Sequence, residues 1–254
     1  MKTNRTIVAI VLLLCSAAMA GCSKDPEVAK REYVRSGDGY VAAKQYKEAV
    51  IEYRNAVQQD PRYGEARFKL AETYATLGDA ANAYGEYIRA ADLLPDNLDA
   101  QVKAATMLLA ARQWEDAQAR ADRALAINPK SIDALIAKGN ALAGLQHLDS
   151  AVALIEEAIN LDPTRTSSYA NLGAIQLARG NREQAEAAFK KATETDPQSV
   201  TAWLALANFY WNTGQAAEVE QSLLKATSLD PKNVTAHRAL AIFYVSFRIE
   251  FPKP

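Results

Sequence analysis

Small and large apolar positions recur along this chain at one fixed interval. Gly37, Ala71, Ala105, Gly139, Gly173, Ala207 and Ala241 form a column in which every member is Gly or Ala and each is 34 residues from the next. Twelve residues further on lies a second column, Ala49, Ala83, Ala117, Ala151, Ala185 and Val219. Seven beyond that lies a third, Ala56, Ala90, Ala124, Ala158, Ala192 and Ala226. Larger apolar residues stand between them: Tyr40, Tyr74, Leu108, Leu142, Tyr210 and Tyr244 in one register, Tyr53, Tyr87, Ile155, Phe189 and Leu223 in another. Small positions facing large ones are what packed helix pairs require. The pattern predicts two amphipathic helices of about 14 residues per repeat, a length set by packing rather than by propensity alone. The first of each pair ends near Gly78, Gly180 or Gly214, where a positive φ costs little.

Proline punctuates the same period. Six of the nine prolines stand at 61, 95, 129, 163, 197 and 231, and Asp60, Asp162, Asp196 and Asp230 precede four of them. A residue before proline is pushed out of the α region, so each proline ends a second helix and sets the angle into the next repeat. Abundant alanine with 8% aromatic residues suits closely packed helices better than a sandwich of strands. The fold class is all-α.

These residues resemble the tetratricopeptide repeat (TPR), a helix-turn-helix unit of 34 residues with small, aromatic, Ala and Pro positions at fixed offsets. The resemblance covers residues 30–233 as six full repeats and 234–254 as a partial seventh. Residues 200–233 match best, through Trp203, Leu206, Ala207, Tyr210, Gly214, Leu223, Ala226 and Pro231. Arg67 and Gln101 replace a large apolar residue, Lys138 a leucine and Gln176 an aromatic, and each is expected to weaken packing locally. The resemblance implies a right-handed superhelix, an α-solenoid whose repeats bury their apolar faces against one another around an inner groove. It also implies that the fifth residue of each first helix points into that groove: Val34, Phe68, Val102, Ile136, Ala170, Leu204 and Arg238. Leu109, Leu177 and Trp211 follow on the same faces, with Asn140, Asn171 and Asn208 as partners for a peptide backbone. Two alternatives stay open: that the next helix covers much of this column, and that Trp211 packs against the last helix. Some family members clamp a peptide carboxylate with Lys and Asn. Here Asn140 and Asn171 match, but Ile136, Thr201 and Ala205 replace the basic residues, which leaves apolar peptide recognition.

Residues 1–21 stand apart. Lys2 and Arg5 precede an apolar run, and 17–21 are rich in small residues, the layout of a secretory signal. The apolar stretch from Ile7 to Ala20 is shorter than the ~20 residues of a spanning helix. Met19-Ala20-Gly21-Cys22 resembles a bacterial lipobox, which implies lipid on Cys22 and a tether over 22–29; Met19 departs from the usual Leu. Cys15 would leave with the signal, so the mature chain has no thiol for a disulfide, metal site or nucleophile. Ser23 after the cysteine points, by resemblance to proteobacterial sorting, to the outer membrane.

The chemistry is that of a binder. The 29 basic and 30 acidic residues, or 27 against 30 without the signal, are scattered, which argues against a nucleic-acid partner. His147 and His237 belong to no metal motif, and HExxH, GxSxG, a P-loop and GxGxxG are absent, so no enzyme, cofactor or small-molecule substrate is expected. After Tyr244 the seventh repeat has no recognisable second helix, and Ile242, Phe243, Val245, Phe247, Ile249 and Phe251 form an apolar end. Truncation of a longer array, a dimer contact and a partner site would each account for it. The expected function is a membrane-anchored scaffold of the bacterial envelope that binds proteins in its groove, facing the periplasm. Its relatives by resemblance are the repeat lipoproteins of exosortase-type sorting and of pilus assembly. The rivals are an accessory or truncated part of a longer TPR enzyme and a plain spacer.

Overall fold

A computed structural model describes residues 25–247, and Cys22 with the expected signal lies outside them. Among the described residues there are thirteen α-helices. The chain divides between Pro95 and Asp96 into two compact units. The first holds α1 (Pro26–Ala42), α2 (Tyr46–Gln59), α3 (Gly64–Thr76) and α4 (Ala80–Leu93). The second holds α5 (Leu98–Ala110), α6 (Trp114–Ile127), α7 (Ile132–Gly144), α8 (Leu148–Leu161), α9 (Thr166–Ala178), α10 (Arg182–Thr195), α11 (Val200–Thr213), α12 (Ala216–Leu229) and α13 (Val234–Phe247). Helix starts α1 four residues before the expected first repeat, because Asp25 accepts from the Glu27 amide at 2.9 Å and Pro26 tolerates a first-turn position. Only residues 22–25 of the expected tether precede this helix.

All pairs but one close by setting a large side chain of the second helix against a small residue of the first. A Cβ on Gly37 would sit 2.5 Å from the Tyr53 ring, on Gly139 2.8 Å from Ile155 and on Gly173 2.8 Å from Phe189. Ala71, Ala105 and Ala207 hold the same register and are buried. In α5 and α6 both sides are small, Ala105 and Ala121, and the core there is an alanine cluster with Ala137.

The turns follow the period as well. Residues 78, 180 and 214 are the expected glycines, with φ of 76°, 83° and 78°. Lys44, Arg112 and Gln146 occupy the same register in the other repeats and take φ of 58°, 58° and 64° without being glycine. The turns between repeats start one residue before proline, where Asp60, Asp162, Asp196 and Asp230 accept from the amide two residues on at 2.9–3.1 Å. Asn128 does the same for Lys130. These side chains close Asx turns as the helix ends.

The polar substitutions do not simply weaken packing. Arg67 donates from Nε to the Pro61 carbonyl at 2.9 Å and from Nη1 to Glu86 at 2.6 Å. Tyr169, Trp203 and His237, in the same register, each place a ring N or O 3.0–3.1 Å from the carbonyl of Pro163, Pro197 or Pro231. This column therefore serves the proline carbonyl in the turn between repeats, and a guanidinium does so as well as an indole. Gln176 accepts from Asn181 at 3.0 Å, and Lys138 pairs with Asp122 at 2.7 Å. Gln101 is fully buried.

Candidate functional site

Two pockets, one in each unit, are built from the same positions of the repeat. In the first unit a pocket of about 140 Å³ is lined by Asp38, Val41, Tyr53 and Lys69, with Glu72 and two threonines. In the second a cleft of about 240 Å³ is lined by Leu204, Ala207, Asn208, Trp211, Leu223 and Ala239, with Val219 and Thr235 completing it. Asn208, Trp211, Leu223 and Ala239 lie five repeats after Asp38, Val41, Tyr53 and Lys69.

The first pocket satisfies itself. Tyr53, 2% exposed, donates its hydroxyl to Asp38 Oδ1 at 2.6 Å, and Lys69 Nζ stands 2.8 Å from the same oxygen. Burial, followed by the hydrogen bond to the Asp38 carboxylate, pushes the Tyr53 hydroxyl well above its ordinary pKa. A ligand entering here would have to displace charge-assisted hydrogen bonds already made.

The second cleft makes no such internal bonds across its walls. Leu204, Asn208 and Trp211 recur at helical spacing on one face of α11, Leu223 and Val219 of α12 form the floor, and Thr235 and Ala239 of α13 form the far wall. No charged side chain lines it. The Trp211 indole is fixed edge-on to Phe243 and Phe247, with ring centroids 5.8 and 5.7 Å away. Trp211 thus packs against α13 and lines the cleft at once. An apolar side chain is what such walls accept, and the exposed Asn208 amide at the rim suits a peptide carbonyl or amide.

Of the other expected groove residues, Val34 is 6% exposed and packed with Ala49, Tyr53 and Leu70, so it belongs to the core of the first unit and faces no groove. Phe68 is half-buried with its ring against Tyr87, centroids 5.8 Å apart. Val102 and Ala170 are half-buried, Ile136 lies at the edge of the Leu142 and Ile155 core, and Arg238 is exposed. Asn140 is half-buried, while Asn171 donates to the Ser167 carbonyl of its own helix at 2.9 Å. Leu204, Asn208 and Trp211 of the expected set meet in one pocket. Leu223, Thr235 and Ala239 were missed as site residues. Their signal was the small Ala239 in the register of Lys69, which opens the wall.

Among the described residues no group of three His, Cys, Asp or Glu side chains could hold a metal ion. No described helix is long and apolar enough to cross a membrane.

No curated protein sequence matches this chain. Solved structures do. A tetratricopeptide repeat protein from Parabacteroides merdae shares 15% identity over 87% of this chain and 88% of its own, with a TM-score of 0.70. PilW, a widely conserved type IV pilus biogenesis factor, shares 19% over 83% and 98%, with a TM-score of 0.65. MamA shares 23% over 67% and 93%, with a TM-score of 0.58. At these identities the likeness is one of fold. Family models described as tetratricopeptide repeat match residues 108–175 and 176–242, and a TPR repeat model matches 37–78. With more than half its length matched, the chain belongs to the tetratricopeptide repeat family.

Proposed function

We propose that this protein is a lipid-anchored scaffold of the bacterial envelope, held by Cys22 at the periplasmic face of the outer membrane. It grips a peptide or helix of its partner in the cleft between α11 and α13. Protein partners are what the family's fold implies. The observation that carries the reading is the contrast between the two equivalent pockets: one closed by its own charges, the other lined without any. A type IV pilus biogenesis factor with the same fold suggests the setting, assembly or export of an envelope, secretion or exopolysaccharide system. The lipobox-like Met19 to Cys22 suggests the anchor.

The test places a photo-crosslinker at Thr235 of the full chain in its host. The expected result is one partner captured, reduced at least tenfold by Leu204→Glu or by the exposed Asn208→Arg, with helicity by circular dichroism unchanged. Equal capture by the folded Asn208→Arg chain would overturn the cleft. Radioactive palmitate labelling of Cys22→Ser at the parent level would overturn the anchor.

A further inference from the structure

Gln176 is an amide in a register otherwise held by Tyr40, Tyr74, Leu108, Leu142, Tyr210 and Tyr244. Tyr210 and Tyr244 reach the preceding second helix from there, their hydroxyls donating to Glu186 and Glu220, each 24 residues earlier, at 3.2 and 2.7 Å. The residue 24 before Gln176 is Val152, and a groove lies open here between α8 and α10 over α9. Its volume is about 570 Å³. The groove of the same register in the first unit, where Tyr74 replaces Gln176 and Glu86 replaces Ala188, has about 380 Å³. The Gln176 groove is built the opposite way round from the Trp211 cleft, with two second helices over a first rather than two first helices over a second.

Its floor is left with donors. Gln176 is 6% exposed, and its Oε1 accepts from Asn181 Nδ2 at 3.0 Å and from Arg179 Nη1 at 3.4 Å. Turning the amide over would set its NH2 against those two donors, so the orientation is fixed. Nε2 then keeps N–H groups that no described residue accepts. A buried amide in that state calls for an acceptor. Beside it Val152, Leu172 and Ala188 supply an apolar body. Arg179 follows Gln176 along the same helix face, and Lys191 lies one turn past Ala187 and Ala188 on α10. The present partners of both cations are solvated: Asp149 is 88% exposed, and Glu194 stands 3.4 Å from Lys191 with both side chains more than half exposed. Glu156, on the α8 rim, is the one acid among the described residues lining the groove. A carboxylate carried beside an apolar side chain answers the open donors, the excess of cations and the apolar body together.

We propose that this groove binds an extended segment of a partner protein in which Asp or Glu stands next to Leu, Ile, Val or Met. The carboxylate meets Gln176 Nε2 and Arg179, and the apolar side chain lies on Val152, Leu172 and Ala188. The probe is a displayed library of random heptapeptides, selected on the full chain carrying Asn208→Arg, which takes the Trp211 cleft out of competition. Enriched peptides are expected to share an acidic residue beside an apolar one. Their affinity, read by fluorescence polarisation, should fall at least tenfold with Gln176→Tyr, which restores a residue usual in the register, and with Gln176→Glu, which keeps the shape and exchanges the donor for an acceptor. It should fall as far when the peptide's own acid is changed to its amide. Ala187→Glu, at the exposed rim, should also weaken binding tenfold and leaves the core untouched should the Gln176 variants lose helicity. No enrichment, enriched peptides without the acid, or equal affinity for Ala187→Glu overturns the proposal. So does a single-stranded oligonucleotide that displaces the peptides at equal concentration, which would assign the groove to phosphate.

Discussion

The pocket around Asp38 and the cleft around Asn208 occupy one register of one repeat, and of the side chains that differ between them three decide the polarity. Tyr53, Asp38 and Lys69 in the first unit become Leu223, Asn208 and Ala239 in the second. The tyrosine and the leucine do the same structural work, each almost fully buried against the small residue of its partner helix. What distinguishes them is the hydroxyl, which emerges beside a carboxylate and ties it, with Lys69, into a closed polar set. The leucine emerges with nothing to bond, and an alanine opposite leaves the space open. A repeat can therefore keep its core while converting the adjoining groove from self-satisfied to receptive.

The largest expected effect comes from removing the shared structural element. Leu223→Ala deletes the floor of the cleft and should cost about 2–5 kcal/mol of stability, because a packed core relaxes only partly around a cavity. Tyr53→Phe keeps the ring and loses only one hydrogen bond to a carboxylate that retains Lys69, so about 1–2 kcal/mol is expected. Chemical denaturation of the two variants measures the difference, and a larger loss for Tyr53→Phe would show that the hydroxyl, not the ring, holds the first unit. The comparison can also be inverted. Leu223→Tyr alone crowds the cleft, whereas adding Asn208→Asp and Ala239→Lys supplies the missing partners; the triple variant should regain stability over the single one while capturing no partner.

Helices, turns and the family were legible because they rest on period, and period survives substitution. The small column, the large column and the prolines each name an interface or a boundary without reference to any other residue. The site was legible only in part. Leu204, Asn208 and Trp211 share a helix face and could be read together, but their pocket needs Leu223 and Ala239 from two further helices. Val34 failed for a related reason: nothing in its own helix says that it packs with Tyr53 and Leu70. Arg67 was misread because position and size suggested a packing residue, while the role it fills is that of a donor to the Pro61 carbonyl.

A smaller effect tests what the two units share. Gly180 and Gln146 stand in equivalent turns of the second unit with φ of 83° and 64°, and Lys44 holds that place in the first with 58°. A Cβ at Gly78, Gly180 or Gly214 would meet nothing within 4 Å, so backbone strain alone decides the choice of residue there. Left-handed backbone costs an ordinary residue roughly 1–2 kcal/mol, and glycine's extra freedom when unfolded returns part of that. Gln146→Gly and Lys44→Gly should each stabilise by about 0.5–1 kcal/mol, and Gly180→Ala should destabilise by about as much, read as shifts of the denaturation midpoint at unchanged slope. Loss of stability in Lys44→Gly alone would mean that the first unit uses this side chain for something the second does not.

The smallest effect is expected on acidification, and it separates the units again. The side-chain hydrogen bond from Lys30, with the Arg62 amide next, holds the Asp60 carboxyl below the usual carboxylate range. Lys30 Nζ reaches Asp60 at 2.7 Å and Glu27 at 2.6 Å while lying over the Tyr63 ring, so Asp60 fastens α1 to the turn after α2. Asp162 is lowered too, but by the Thr164 hydroxyl and amide two residues away, within its own turn. A depressed carboxylate contributes stability above its unfolded pKa and loses it as pH falls through the folded one. Both contributions are therefore complete at neutral pH and vanish in acid, but only the first releases a contact spanning 30 residues. Carbon-13 titration of the carboxyls should show both aspartates below the ordinary value. Amide exchange corrected for intrinsic rate should show the start of α1 loosening as Asp60 protonates, with no matching change in α9. Asp60→Asn should reproduce the loosening at neutral pH, and a first unit that protects α1 equally in that variant would reduce the Lys30 contact to one of many exposed pairs without measurable effect.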